Sequence, residues 1–345
     1  MPKQTFFVNE DELDDYQVQL LRKRIDRSMV VSGCAGSGKS ILALWKAKHI
    51  QDLQNGWTYK FIVFTKALNS YMSDGIRVIG LDDKNFMYHR QWIDQSCPPA
   101  DFIIVDEIQD FTSEEIMQFK ASARRAFFLW GDSAQSIYRG IKETQDILAI
   151  ATESGIQPEQ LVFNHRLPRK IARLAACLID DDDLVQRCRK EGAEMPRILH
   201  YETPEQQLDM AMEQIKNRQI TDAAILFPTN ILVQRAYSYL RSRGHSIEAK
   251  YEDKTDYHNS RLDLNFNSDN PKLMTYHSAK GLQFEGVFLP ECNDSDNRDS
   301  TPLYVAVTRS YQYLFIMYST ELSRFFDAVP KNLYTTTIEE DKIEI

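Results

Sequence analysis

The strongest constraint on the fold of this chain is a glycine-rich segment between an apolar run and an amphipathic stretch. Val30-Val31-Ser32 leads into GCAGSGKS, and Ser40–Leu53 follows with helical periodicity. Strand, glycine-rich loop and helix in this order form a phosphate-binding loop, or P-loop, because backbone N–H groups and the helix N-terminus face the anion. A glycine turn without a ligand is the alternative. The predicted nucleotide-binding residues are Gly33, Cys34, Ala35, Gly36, Ser37, Gly38, Lys39 and Ser40.

An acidic pair follows a second apolar run. Phe102–Val105 has the composition of a buried strand and ends at Asp106-Glu107. Lys39 is predicted to reach the β- and γ-phosphates of ATP, while Ser40 and Asp106 hold Mg²⁺. Glu107 then faces the attacking water as a general base. An exposed strand end would explain the acidic pair alone, but together with the P-loop it predicts phosphoryl transfer to water.

Apolar runs alternate with helix-period stretches along the whole chain, a pattern typical of α/β folds with parallel sheets. Gly155 and Pro158 mark a boundary, so we predict domains at 1–155 and 156–330, followed by a tail at 331–345. Helices are predicted at Ser40–Leu53 and Thr229–Arg243. Strands are predicted at Ser28–Ser32, Lys60–Phe64, Asp101–Val105, Ala126–Trp130, Ala223–Phe227, Lys272–Tyr276, Gly286–Leu289 and Tyr313–Tyr318.

Composition fits a soluble two-domain protein of 345 residues. No apolar run reaches the roughly 18 residues of a membrane span, and Met1–Asn9 lacks the pattern of a secretory signal. The five cysteines form no close pair, which predicts reduced thiols, no zinc site and a cytoplasmic location. The net charge of −9 argues mildly against a protein that simply coats DNA, although a basic groove can lie on an acidic body.

Longer motifs occur in a fixed order after the acidic pair. They are DEIQD at Asp106–Asp110, LWGDSAQSIYRG at Leu129–Gly140, FNHR at Phe163–Arg166, LMTYHSAKGLQFEGVF at Leu273–Phe288 and YVAVTRS at Tyr304–Ser310. In this order they resemble the motifs of superfamily 1 helicases of the UvrD/Rep/PcrA group, from about Leu13 to Phe315. The resemblance implies two tandem RecA-like parallel-sheet domains of a P-loop NTPase. It also implies an ATP-dependent, Mg²⁺-dependent motor on nucleic acid.

The resemblance assigns further roles around the nucleotide. Gln17 corresponds to the glutamine that reads adenine, with an ordinary surface glutamine as the alternative. Gln135 corresponds to the γ-phosphate sensor. Arg166 and Arg309 correspond to two arginines that the second domain sends across the cleft to neutralise γ-phosphoryl charge, with structural salt bridges as the alternative.

The resemblance also implies a single-strand track, on which aromatic faces stack against bases and hydroxyls hold phosphates. For Phe64 the alternative is a core residue, and for His277 it is a structural histidine. The implied nucleic-acid-binding residues are Phe64, Thr65, Lys66, Tyr138, Arg139, Thr275, His277 and Ser278.

Four departures from the family pattern affect the expected function. His165 replaces the tyrosine that stacks on adenine, and Gln283 replaces a glutamate near the ribose. The Gly-Trp pair expected after Tyr138 is missing, which removes an aromatic plate. Only about 35 residues separate Thr65 from Asp101, and 109 positions separate Arg166 from Thr275, so the large accessory insertions of the family are absent or short.

Three functions remain open from the sequence. The first is a translocase on single-stranded DNA, able to unwind duplexes with the 3′-to-5′ polarity of the family. The second is a regulatory ATPase that switches a protein partner such as a nuclease, which the departures and the acidic charge favour. The third is the same motor on RNA, since stacking does not distinguish the two sugars.

Overall fold

The computed structural model describes residues 8–34, 36–53, 55–64, 66–132, 145–181, 183–253 and 260–338. The chain divides into two compact units, the first ending at Arg166 and the second beginning at Leu167. The predicted boundary after Gly155 therefore lies upstream of this division. Each unit is built on its own mainly parallel β-sheet.

The first unit is a six-stranded parallel sheet with helices on both faces. Its strands lie in the order β3-β2-β4-β5-β1-β6. They are β1 (Met29–Gly33), β2 (Tyr59–Val63), β3 (Phe86–Tyr88), β4 (Ala100–Val105), β5 (Ala123–Gly131) and β6 (Glu159–Leu161). The helices are α1 (Asp15–Leu21), α2 (Lys39–Asp52), α3 (Lys66–Val78), α4 (His89–Asp94), α5 (Ser113–Ser122) and α6 (Ile147–Glu153).

Neighbouring residues of each central strand face opposite sides of this sheet, which is why its strands are apolar throughout. On β4, Phe102 packs in the core cluster that includes residues of α2 and α3. The next residue, Ile103, packs in the cluster on the other face, with residues of α5 and α6. Both side chains are fully buried. Layers on both faces fix the carboxyl ends of the strands, where P-loop and acidic pair lie.

The second unit repeats the architecture with a seven-stranded sheet in the order β12-β11-β13-β10-β14-β15-β9. Only the pairing of β11 with β12 is antiparallel among the strands described for this sheet. Strand β7 (Asn164–Pro168) crosses the junction of the units. The remaining strands are β8 (Cys188–Lys190), β9 (Arg197–His200), β10 (Ala223–Phe227), β11 (Glu248–Tyr251), β12 (Arg261–Asp263), β13 (Lys272–Thr275), β14 (Phe284–Leu289) and β15 (Ser310–Tyr318). The helices are α7 (Arg169–Ile179), α8 (Leu184–Arg187), α9 (Pro204–Asn217), α10 (Asn230–Ser242) and α11 (Thr301–Val307).

The predicted α/β class with tandem parallel sheets is confirmed. Each of the eight predicted strands overlaps an observed strand, and Ala223–Phe227 has the same bounds in both. Strand β6 lies beyond the predicted boundary yet pairs with β1, the strand that enters the P-loop. Thr335, which lies within the predicted tail at 331–345, forms a parallel bridge to Arg197 on β9, at the edge of the second sheet.

Across the part of the chain that is described, no helix combines the length and the apolar character needed to cross a bilayer.

Candidate nucleotide-binding site

The glycine-rich loop joins β1 to α2, in the context that the sequence predicts. Gly36 and Gly38 have positive φ angles of 75° and 85°, a conformation that glycine adopts without strain. A Cβ on Gly36 would lie 2.3 Å from the side-chain oxygen of Asn164, and one on Gly38 would lie 2.5 Å from Nε2 of Gln17. Glycine is therefore required at both positions by the backbone and by close neighbours.

Lys39 lies at the first position of α2 and folds back on the loop. Its Nζ donates to the carbonyl oxygens of Gly33 at 2.7 Å and Cys34 at 2.9 Å. The same ammonium group lies 4.0 Å from a carboxylate oxygen of Asp132, at the end of β5. The loop thus concentrates a buried positive charge among groups that an anionic ligand could replace.

Ser40 and the acidic pair meet at the carboxyl edge of the sheet. Ser40 Oγ donates to Asp106 Oδ2 in a close hydrogen bond. Burial, together with the charge of Glu107, raises the pKa of Asp106 to about 6, although Ser40 and Lys39 act in the opposite direction. A hydroxyl and a carboxylate are hard oxygen ligands of the kind that Mg²⁺ takes from a protein when phosphates and waters complete its shell. The residues therefore fit a magnesium ion, whose charge would stabilise the ionised carboxylate.

Glu107 is held in an unusual backbone conformation, with φ of 57°. Non-glycine residues are uncommon in this left-handed region and occur there at functional sites when the surroundings impose the strain. Gln109 donates through Nε2 to the Glu107 carboxylate in a close hydrogen bond, and its Oε1 accepts from Asp132 N at 2.9 Å. The fully buried Gln109 carboxamide therefore connects the acidic pair to the end of β5. Gln109 lies in the motif DEIQD and Asp132 in LWGDSAQSIYRG, but neither motif predicts a role for these two residues.

Gln17 is buried and contacts the P-loop, so it is not an ordinary surface glutamine. Its Nε2 donates to the Ser37 carbonyl oxygen at 3.0 Å. His165 reaches the same region, since its backbone N–H donates to the Gly36 carbonyl at 3.0 Å. The structure therefore brings Gln17 and His165, both predicted from the sequence, to one loop within the first unit.

Arg166 is the last residue of the first unit, in contrast to the predicted position in a second domain. A Cβ on Gly36 would lie 2.7 Å from the Arg166 Cβ, so the Arg166 backbone passes next to the P-loop. Arg309 lies in the second unit and is 1% exposed. Its guanidinium donates to the Val305 carbonyl at 2.8 Å, the Leu282 carbonyl at 3.3 Å and Thr308 Oγ1 at 3.0 Å. In this conformation Arg309 joins α11 to the turn before β14.

The other predicted residues of the second unit lie around the end of β13. Thr275 Oγ1 lies 3.1 Å from Ser278 Oγ and accepts from Ser278 N at 3.1 Å, which closes a tight turn. His277 lies inside that turn and is half-buried, and Gln283 directly precedes β14. These residues form a local hydroxyl-rich turn.

The predicted nucleic-acid track is described in part. Phe64 is half-buried and packs edge-on against Phe111, with ring centroids 5.2 Å apart. It also packs against the core cluster on that face, as the alternative assignment expects. Lys66 begins α3, and only its backbone is described. The predicted residues Ala35, Thr65, Gln135, Tyr138 and Arg139 lie outside the described residues.

Comparisons with known proteins match both halves of the chain. Residues 29–177 match the family described as the viral superfamily 1 RNA helicase core domain. Residues 272–317 match the UvrD-like helicase C-terminal domain. These matches confirm the resemblance to superfamily 1 helicases that the motifs carry, and the P-loop and the acidic pair lie within the first match.

A protein of Acanthamoeba polyphaga mimivirus, provisionally named an ATP-dependent DNA helicase, is 23% identical over 238 residues. The alignment covers 62% of this chain and 34% of that protein, so the chain spans about a third of the length of this curated relative. Among solved structures, the C-terminal domain of a candidate DNA helicase from Lactobacillus plantarum is 18% identical with a TM-score of 0.40, covering 50% of this chain and 98% of that one. The PRRSV helicase is 14% identical with a TM-score of 0.44, covering 88% of this chain and 54% of that one.

Proposed function

We propose that this chain is an ATP-dependent nucleic-acid motor that hydrolyses ATP at the P-loop of its first unit. The observation that supports this most directly is the meeting of Lys39, Ser40, Asp106 and Glu107 at one sheet edge in a superfamily 1 chain. Each group has the chemistry that its step needs: a cation for the phosphates, hard oxygen ligands and a carboxylate base.

In the proposed reaction, ATP phosphates replace the loop carbonyls and Asp132 as partners of Lys39 Nζ. Magnesium, held by Ser40 and Asp106, would neutralise phosphate charge when bound. Glu107 accepts the proton of the attacking water, and Gln109 holds that carboxylate in place through the hydrogen bond to its oxygen. Burial of the acidic pair keeps bulk water from competing for the same groups.

The finer roles rest on the family resemblance. Gln135 is proposed to sense the γ-phosphate and to transmit hydrolysis to the nucleic-acid track. Arg166 and Arg309 are proposed to neutralise charge that develops on the γ-phosphoryl oxygens. Because Arg166 belongs to the first unit, its contribution does not require the second unit to deliver it. Placement in the UvrD/Rep/PcrA group is supported by the match to the UvrD-like C-terminal domain.

Single-stranded DNA is the proposed track, with movement from 3′ to 5′ as in the UvrD/Rep/PcrA group. The mimivirus relative carries the name of a DNA helicase, which supports DNA. The match at residues 29–177 is to a viral RNA helicase core, which keeps RNA as a competing strand. Thr275 and Ser278 offer hydroxyls that can hold phosphates of either nucleic acid.

A regulatory ATPase that switches a protein partner such as a nuclease is the second candidate. The short connections between the motifs favour it, because they leave no room for large accessory insertions within 65–101 or 166–275. In this case ATP binding and hydrolysis would use the same residues, while the output would be a change in the partner.

The two candidates differ in their response to nucleic acid. We expect single-stranded DNA to raise the ATPase rate of the purified chain at least tenfold, because a motor couples turnover to its track. Steady-state phosphate release should be compared for single-stranded DNA, single-stranded RNA and duplex DNA of equal length at one salt concentration, since phosphate contacts are salt-dependent. Stimulation by RNA alone would reassign the track. An equal rate with every nucleic acid and with none would contradict the motor and favour the regulatory ATPase.

Duplex unwinding by the chain alone is expected to be weak. Opening a DNA base-pair step costs about 1.4 kcal/mol on average, and one base stacked on an aromatic side chain contributes roughly 1–3 kcal/mol. The missing aromatic plate after Tyr138 therefore removes a stacking free energy about equal to the cost of opening one base-pair step. A fluorescence strand-separation assay should detect little product with long duplexes, and more when a partner is added. Processive unwinding of a duplex of several hundred base pairs by the purified monomer would overturn this expectation.

A further inference from the structure

We propose that Asp14 is a positioning residue for nucleotide recognition, which acts with His165 to clamp Gln17 against the P-loop. The proposal rests on the proposed ATP site and assigns a role to a residue that the family motifs leave unassigned. It concerns only contacts within the first unit.

Asp14 holds Gln17 from two sides. As the N-cap of α1, Asp14 accepts a hydrogen bond from Gln17 N at Oδ1, over 2.8 Å. In return, Asp14 N donates to Gln17 Oε1 over 3.0 Å. This reciprocal capping box fixes both the start of the helix and the carboxamide of Gln17.

The other end of the Gln17 carboxamide is committed to the P-loop. Its Nε2 donates to the Ser37 carbonyl over 3.0 Å, and Gln17 is 5% exposed. A Cβ on Gly38 would lie 2.5 Å from this nitrogen, so the amide rests directly on the loop. The position of Gln17 is thus set by Asp14 at one end and by the loop at the other.

His165 contacts both Asp14 and the P-loop. Its Nε2 lies 2.7 Å from Asp14 Oδ2, and its backbone N–H donates to the Gly36 carbonyl over 3.0 Å. An ionised carboxylate only accepts, so Nε2 of the imidazole carries the proton. Beside this bond, Tyr16 and Phe163 pack edge to face with centroids 5.5 Å apart, which joins the same two segments by apolar contact.

These hydrogen bonds form a closed ring of contacts. Asp14 bonds to Gln17, and Gln17 bonds to Ser37 in the P-loop. The ring returns from Gly36 in the loop to His165, which bonds to Asp14. Among the described residues, the side chains of Asp14 and His165 bond to neither Lys39 nor Glu107. Damage to the clamp should weaken ATP binding and base discrimination without changing the chemical step. His165, where the family pattern has tyrosine, donates the hydrogen bond that Asp14 Oδ2 accepts.

The test measures ATP and GTP binding by calorimetry, together with kcat and KM for hydrolysis. Asp14→Ala and His165→Ala should each weaken ATP binding about tenfold, as loss of one net hydrogen bond predicts. The preference of both variants for ATP over GTP should fall, while kcat of Asp14→Ala at saturating ATP stays within about twofold of wild type. The double variant should bind ATP little more weakly than either single variant, because both substitutions break the same ring of hydrogen bonds.

Two further variants separate the clamp from simple helix capping. Asp15→Ala removes the neighbouring exposed carboxylate and should bind ATP as wild type does. Asp14→Asn keeps a good N-cap but weakens the link to His165, so it should still bind ATP more weakly than wild type. If Asp14→Asn behaves as wild type, Asp14 acts only as a cap and the clamp is wrong. The clamp is equally wrong if Asp14→Ala lowers the ATP affinity, kcat and the thermal unfolding midpoint together, because such a variant has lost folded protein.

The same titration separates this inference from the proposed function. A wild-type chain that binds no ATP contradicts the proposed ATP site itself. A wild-type chain that binds and hydrolyses ATP, with unchanged affinities in Asp14→Ala and His165→Ala, contradicts the clamp alone.

Discussion

Replacing Lys39 with alanine should reduce ATP hydrolysis to background. Lys39 Nζ is the cation held between the loop carbonyls of Gly33 and Cys34 and the carboxylate of Asp132. Without it, the negative charge that develops on the β- and γ-phosphates loses its nearest counter-charge in the loop. Phosphate release under saturating ATP measures the effect. Lys48→Ala is the matched control, since Lys48 lies on the same helix but pairs with Asp52, and it should hydrolyse ATP normally.

Glu107→Gln should stop hydrolysis by a different route and leave ATP binding intact. The substitution keeps the size of the side chain but removes the base that takes the proton from water. Direct ATP titration should give an affinity close to that of wild type, with turnover lower by orders of magnitude. Glu114→Gln, at an exposed position in the first turn of α5, should change neither quantity. A folded Glu107→Gln protein that cannot bind ATP would contradict the assigned role.

The sequence was most informative where local pattern and tertiary structure agree. The central strand β4 is apolar on both faces because helices cover both faces of its sheet, and its run FIIV predicts that directly. Three-residue strands such as β3 and β6 carry too little pattern to be recognised. Strand β6 was not predicted, and this explains why the predicted boundary after Gly155 lies upstream of the observed division. Its pairing with β1 keeps the chain in the first unit beyond Gly155.

At the candidate site, motif spacing predicts which residues converge but not how each one is held. The P-loop order predicts that Lys39 and Ser40 begin a helix, and they do. It does not predict that Gln109 links Glu107 to Asp132, because that contact depends on β5 lying beside β4. Nor does the histidine at position 165 indicate its bond to Asp14, more than a hundred residues earlier in the chain. Contacts between distant segments require the sheet order, which local pattern does not contain.

Arg309→Ala should lower turnover roughly 10³-fold or more at saturating ATP, with a modest loss of ATP binding. A group that acts on charge developing in the transition state affects kcat far more than ground-state affinity. The same reasoning applies to Arg166→Ala. Arg309 also has a structural role, since its guanidinium bonds to the Val305 and Leu282 carbonyls inside the second unit. Its removal leaves buried acceptors without this donor, so the thermal unfolding midpoint should fall as well.

The two effects of Arg309→Ala are separated by a second buried arginine in the same unit. Arg197 is 3% exposed, pairs with Glu194 at 2.7 Å and lies over the Phe315 ring. Arg197→Ala should therefore lower the unfolding midpoint by a similar amount while leaving kcat near wild type. Both variants should be assayed below their midpoints, with folded fractions measured by circular dichroism. If Arg309→Ala keeps wild-type kcat, or if Arg197→Ala loses kcat to the same extent, Arg309 stabilises the second unit and has no part in phosphoryl transfer.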